Sequence, residues 1–170
     1  MLPLQSGTME YLPFSWENTE KSIRSISEKI SASGFRPDIL IGISRGGLVP
    51  SRLLSDYLNV PLLYTIRISF YTSIGERKEK PEVTQPLHVE IKGKNVLVVD
   101  DVSDSGKSLS LAKQYLAPMA PASIKTAAIH FKPGSIFKPD FFDSTTESWV
   151  VYPWEKDEFF RETGKRADSI

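Results

Sequence analysis

The sequence contains no cysteine, which excludes disulfides, thiol nucleophiles and zinc-cysteine sites. It has no excess of either charge: 21 lysines and arginines balance 21 aspartates and glutamates, so it lacks the positive field that draws nucleic acid or an anionic membrane. No apolar run approaches the length that spans a bilayer, and the first residues, Met1-Leu2-Pro3-Leu4-Gln5-Ser6, show no basic segment leading into a long apolar stretch. These lacks predict a cytoplasmic protein with neither a nucleic-acid nor a membrane partner. Repeats and low-complexity tracts are also missing, and 170 residues suit one domain whose core needs no covalent staple.

What is present is an alternation of short apolar runs with helical patterns. Ser15 can cap a helix in which Ile23, Ile26 and Ile30 recur at helical spacing, ending at Gly34 and Pro37. Asp38 to Ile43 reads as a strand, followed by the turn Ser44-Arg45-Gly46-Gly47 and a helix through Leu48, Leu53, Leu54, Tyr57 and Leu58. Pro61 to Tyr71 reads as a second strand. Residues 72–90, polar, charged and broken by Gly75, Pro81 and Pro86, read as a mobile loop that packs no core. Asn95 to Asp101 is a third strand with Gly106 to Leu116 as its helix, and Ser123 to Phe131 is a fourth, ending at Pro133-Gly134. Trp149 to Tyr152 is a last strand before Pro153 and a short helix around Glu158 to Glu162.

Apolar strands alternating with helices predict an α/β fold with a central parallel sheet flanked by helices, the doubly wound class. Ligands in such folds bind at the carboxyl ends of strands. Ser44 to Gly47, Asp100 to Ser108, Lys132-Pro133-Gly134 and Trp149 all follow or sit at strand ends, so they can converge on one crevice.

The segment Val96-Leu97-Val98-Val99-Asp100-Asp101-Val102-Ser103-Asp104-Ser105-Gly106-Lys107-Ser108 carries most of the chemistry. Ser105, Gly106, Lys107 and Ser108 open a helix, where unpaired backbone N–H groups and the positive end of the dipole can hold a phosphate. Asp100 and Asp101, adjacent at a strand end, point to opposite sides, and a ribose with vicinal hydroxyls could reach across the tip to use both. A plain turn and helix cap would leave Asp100 unexplained. The ending Ser105-Gly106-Lys107-Ser108 is shared with the nucleotide P-loop, but the first glycine of that motif falls on Asp101, whose carboxylate would repel phosphates.

The whole segment resembles the phosphoribosyl pyrophosphate (PRPP) signature of type I phosphoribosyltransferases. Other segments are similar, in order, to the xanthine-guanine and hypoxanthine (6-oxopurine) branch of that family, over roughly residues 36 to 162. Ser44-Arg45-Gly46-Gly47-Leu48-Val49-Pro50 resembles the pyrophosphate loop. The strand ending Ile68-Ser69-Phe70-Tyr71, with its excursion over about residues 69–90, resembles the flexible catalytic loop. Trp149-Val150-Val151-Tyr152-Pro153-Trp154-Glu155 resembles the purine-binding end. Two departures stand out: Phe70 replaces the serine that usually precedes the loop tyrosine, and Tyr152 stands where the xanthine-guanine enzymes differ.

The resemblance implies a phosphoribosyltransferase fold with a small hood made from the N- and C-terminal segments, and a Mg2+-dependent transfer of phosphoribose from PRPP to N9 of guanine, hypoxanthine or xanthine. It places Asp100 and Asp101 on the ribose hydroxyls and Asp104 to Ser108 on the 5′-phosphate, with Asp104 also as the acid-base group near purine N7. Ser44, Arg45, Gly46, Gly47, Arg77 and Arg161 would serve pyrophosphate; Lys132, Trp149 and the Val150 backbone the purine; Ser69 and Tyr71 the closing loop. Asp100, Asp101 and Glu155 would support the metal, directly or through water. A homodimer or homotetramer is implied as well. His88 and His130 attract no role. Two other readings stay open: a PRPP-sensing regulator on the same fold, and an enzyme for adenine, a pyrimidine or a noncanonical base.

Overall fold

The computed structural model describes residues 10–71 and 80–167. Its centre is a six-stranded sheet in the order β4-β3-β2-β5-β6-β7, built from β2 (Ile39–Ser44), β3 (Leu63–Tyr71), β4 (Lys80–Gln85), β5 (Asn95–Ser103), β6 (Ser123–Phe131) and β7 (Phe141–Thr145). All neighbours run parallel except β4, which pairs antiparallel with β3. A separate two-stranded parallel sheet joins β1 (Tyr11–Pro13) to β8 (Trp149–Val151), in the register Tyr11↔Trp149.

The period-two pattern of the strands explains why both faces of the large sheet are covered. Leu97 and Val99 of β5 and Leu40 of β2 face a core that also holds Ile23, Ile26 and Ile30 of α1 (Trp16–Ala32) and Leu54 of α2 (Leu48–Tyr57). Val96 and Val98, with Ile39, Ile41 and Ile43, turn to the other face and meet Leu109, Ala112 and Leu116 of α3 (Lys107–Leu116). Each of these valines, leucines and isoleucines contributes about 1.5–3 kcal/mol by leaving water. Ser15 caps α1 as its sequence predicts, its side chain accepting from the Asn18 N–H at 3.0 Å. The C-terminal helix α4 (Lys156–Thr163) buries Phe159 against Val151 and Tyr11, whose ring lies 5.0 Å from that of Phe159.

Several sequence expectations change. The span 72–90 is not one coreless excursion: Lys80–Gln85 forms the edge strand β4, and Leu87 is buried with the α3-side core. An edge strand exposed along one side can be polar, and it tolerates Pro81, so its pattern reads as a loop. Residues 72–79, Arg77 among them, lie outside the described part. β5 runs two residues past its predicted end, keeping Asp100 and Asp101 inside the strand. β1 and β7 are additional strands.

Chain order places the reversal of strand order between β2 and β5. β3 and β4 lie to one side of that boundary, and β6 and β7 to the other. The crevice beyond the carboxyl ends of β2 and β5 is therefore the expected ligand site.

Candidate active site

Two cavities open at this switch point and share Asp101, Val102 and Asp104. The first, about 250 Å³, is lined by Asp100 to Gly106, Ser108, Leu109 and Phe70. The second, about 120 Å³, is lined by Lys132, Trp149, Val150, Tyr152 and Glu155 together with the shared residues.

The floor of the first cavity is the turn from β5 into α3. Gly106 is the helix N-cap, with φ +77°, and offers no capping side chain, while the Lys107 N–H donates to Ser105 Oγ at 3.4 Å; the turn still presents the helix N-terminus to an anion. Asp104 is therefore not the cap that a serine- and aspartate-rich turn suggests. A Cβ at Gly106 would strike Ser135 Oγ and the Phe137 N–H, because the turn is backed by the segment after β6. Ser103 Oγ donates to the Phe137 carbonyl at 2.7 Å, and the Ile136 N–H donates to the Ser105 carbonyl at 3.1 Å.

Asp100 and Asp101 are both buried. Burial, followed by the charge of Asp101, pushes the Asp100 carboxyl well above the usual range; burial also raises that of Asp101. The Asp101 carboxylate accepts the Val102 N–H at 2.7 Å and lies directly under Gly46, where a Cβ would overlap it. Asp101 thus underlies the Ser44–Gly47 loop, whose Ser44–Arg45 peptide is cis. The Trp154 indole N–H is buried without a hydrogen-bond partner, and its proximity favours the charged form of the Asp101 carboxyl.

Arg45 on this loop does not point to an empty space. Its guanidinium makes a two-pronged ion pair with Glu158 of α4, at 2.5 and 2.8 Å. Glu155, raised to about 7 by burial and by the nearby charges of Asp101 and Glu158, stands between this pair and the acid pair. The three raised carboxyls fit a cation that arrives with its own oxygen ligands. Among the described residues, no group of three or more His, Asp or Glu is disposed to hold a metal by itself.

At the second cavity Lys132 is partly buried. Its Nζ lies 3.1 Å from Asp104 Oδ1 and 5.7 Å from the centre of the Trp149 ring. Trp149 is 45% exposed, leaving an open ring face, whereas Val150 is buried in the pairing with β1. The structure therefore brings together Asp100 to Ser108, Lys132, Trp149, Val150 and Glu155, with Ser44 to Gly47 alongside. Arg161 is exposed on α4 and lines neither cavity. Ser69 is taken up by Thr84 of β4 at 3.0 Å, and Tyr71 is exposed at the end of β3. Sequence reasoning missed Glu158, His130, Trp154 and the part played by Tyr152, since each contact spans distant segments that no local spacing marks.

Comparison with known proteins agrees with this geometry. Residues 14–158 match the model of the phosphoribosyl transferase domain. A xanthine-guanine phosphoribosyltransferase of Cereibacter sphaeroides is 29% identical over 150 residues, 83% of this chain and 84% of that protein. The structure resembles a purine phosphoribosyltransferase from Pyrococcus horikoshii with a TM-score of 0.77 and 36% identity, covering 86% of this chain and 94% of the other. It also resembles a Neisseria gonorrhoeae protein solved with bound ppGpp, with a TM-score of 0.80 and 28% identity, covering 94% and 99%. With 145 of its 170 residues (14–158) inside that domain model and the strand-end cavities arranged as described, the chain belongs to the phosphoribosyl transferase domain family.

Proposed function

We propose that the protein transfers phosphoribose from PRPP to N9 of a 6-oxopurine, giving a nucleoside monophosphate and pyrophosphate for purine salvage. The observation that carries this reading is the Lys132–Asp104 pair at 3.1 Å beside the open Trp149 ring. It presents an adjacent donor and acceptor, the complement of the O6 and N7–H edge of guanine, hypoxanthine or xanthine. Adenine would set its 6-amino donor against the lysine.

In this reading the open turn from Asp104 to Ser108 takes the 5′-phosphate, Asp100 and Asp101 take the ribose hydroxyls, and Ser44 to Gly47 takes pyrophosphate. Arg45 does so after leaving Glu158. Arg77, Arg161, Ser69 and Tyr71 remain proposals for the closing side of the site. Trp149 stacks on the purine and the Val150 backbone reads its edge. N9 attacks C1′ with its lone pair, the bond from C1′ to the pyrophosphate oxygen breaks with its electron pair, and the N7 proton passes to Asp104. Asp100, Asp101 and Glu155 would hold Mg2+, which when bound neutralises the leaving pyrophosphate.

The test is PRPP and Mg2+ with each of the four purine bases, following nucleotide and pyrophosphate. The expected result is product with at least one 6-oxopurine and none with adenine, and an Asp104→Asn variant about 10²- to 10⁴-fold slower. Absence of product with all four bases would favour the PRPP sensor. A second reading is favoured by the ppGpp-bound Neisseria relative: a guanine nucleotide carrying pyrophosphate groups combines the purine and the anions that the proposed site takes, and would compete with PRPP. Its test is the same assay with ppGpp added, where the apparent KM for PRPP rises.

A further inference from the structure

Tyr152 borders the second cavity and His130 lies behind it, and neither has a part in the proposed bond-making, yet they sit where the two halves of the site meet. Tyr152 follows β8, two residues past Val150, and is almost fully buried. His130 lies on β6, two residues before Lys132, and is also buried. The Tyr152 hydroxyl donates to the Asp101 carbonyl at 3.0 Å and lies 2.7 Å from His130 Nδ1. A hydroxyl has one proton. With that proton on the Asp101 carbonyl, the contact to His130 is completed by a proton on Nδ1, and burial favours the neutral ring. Burial supports both states: it lowers the His130 pKa to about 4, against the opposing charge of Asp143, and raises that of the Tyr152 phenol well above its usual value.

The rings around this pair leave it little freedom. Trp154 stacks on Tyr152 at 4.8 Å with its plane 6° away, and Phe14 meets His130 edge-on at 4.8 Å. At the receiving end, strand pairing between β5 and β2 stops at Gly42↔Val99, so beyond Val99 the acid pair is strand-paired on the β6 side alone. The Asp101–Val102 peptide is held there by the Tyr152 hydroxyl at its carbonyl and by the Asp101 carboxylate at its N–H.

We infer that Tyr152 and His130 are positioning residues, a buried hydrogen-bonded link that sets the distance between the purine-reading strand β8 and the ribose-binding acid pair of β5, and so the approach of N9 to C1′. The inference rests on the proposed phosphoribosyl transfer. The two linking groups, the Tyr152 hydroxyl and the His130 ring, are bonded to each other and to the Asp101 backbone and not to substrate. Each half of the site keeps its own ligand contacts without the link: Trp149 still stacks and the Asp104–Ser108 turn still takes phosphate. What loosens is the alignment of the two reactants, and misplacement on the scale of 1 Å costs about 100-fold in rate.

The experiment is single-turnover nucleotide formation by Tyr152→Phe, with PRPP affinity measured by calorimetry and purine KM alongside. The expected result is a rate about 10- to 100-fold lower with PRPP affinity and purine KM within about threefold. Tyr152→Phe also leaves two buried polar groups unpaired and can lower stability, so Tyr152→Phe/His130→Leu is the companion variant. Removing the imidazole partner recovers thermal stability but leaves the Asp101 carbonyl without its donor, so the rate stays low. His130→Asn, whose amide can donate to the Tyr152 oxygen, should recover rate relative to His130→Leu. A folded Tyr152→Phe protein within twofold of the wild-type rate overturns the link, as does a double variant that regains rate together with stability. A wild type that binds PRPP but makes no nucleotide, or binds none, overturns the proposed function and the link with it.

Discussion

Glu155 shows how strongly the site is set up against its own charge. Its carboxyl titrates near 7, against an ordinary value of 4.5, because it is partly buried and faces Asp101 and Glu158. The folded state therefore prefers the protonated form, and ionisation works against folding as the pH climbs from the unfolded value through the folded one. Glu155→Gln should consequently stabilise the ligand-free protein on the order of 1 kcal/mol at pH 8, after allowance for solvent screening, and leave it unchanged at pH 4. Thermal melts of both proteins at the two pH values check this, and equal melting curves at pH 8 would contradict it. Gly46 is constrained in a different way. A methyl there would overlap the buried Asp101 carboxylate, so Gly46→Ala should shift the loop and weaken PRPP binding by about 10-fold or more, read by calorimetry. The acid pair, Asp104, Lys132 and Trp149 could be singled out in the sequence because each lies beside an apolar run and matches a family motif. Glu158 is not, because what marks it is an ion pair to Arg45 from the far end of the chain.

Among the elements, β1 has a disproportionate part for three residues. The Trp149 N–H donates to the Glu10 carbonyl at 2.8 Å and the Phe14 N–H to the Val151 carbonyl at 3.0 Å, so β1 is what β8 pairs with. Removing residues 1–13 should raise the KM for the purine by about 10-fold or more while PRPP affinity, set by the β5–α3 turn, changes by less than about threefold. Equal loss of both would show that the truncation acts through the fold as a whole. Most elements read from sequence are found: α1 with its isoleucines and β2, β5 and β6 with their continuous apolar runs are the plainest, and β3, β8, α2, α3 and α4 also lie where their patterns place them. Those missed are β1, β4 and β7, which are short or lie at sheet edges. Half-exposed edge strands take polar residues and proline without penalty, and a three-residue strand is too short to show a period.

At the scale of the whole molecule, PRPP would touch the loop after β2, the acids of β5 and the start of α3, so binding should stabilise the fold globally. At a ligand concentration of 100 times Kd the gain is about 2.7 kcal/mol, which for a chain of this size corresponds to about 5–10 °C in Tm. Scanning calorimetry with Mg2+ and PRPP reads it directly, and an unmoved transition would count against the proposed site. The homodimer or homotetramer that the family resemblance implies is tested by sedimentation of the same sample. The layered α/β architecture was open to sequence reading because apolar strands alternate with amphipathic helices. The carboxyl ends of the strands pointed to the crevice, but the strand order that places it and the pairing of β1 with β8 were not legible, since nothing local reports a contact between segments so far apart.

That pairing bears on synthesis as well as on binding. A ribosome releases β1 early and β8 late, with every strand of the large sheet emerging between them. The nascent chain can assemble the sugar-phosphate turn of β5 and α3 while β1 still waits for its partner, so the base pocket closes last. A chain that ends before β8 therefore lacks both the base pocket and the Val150 and Tyr152 side chains that complete the main core, so the fold and the site are finished by the same late segment.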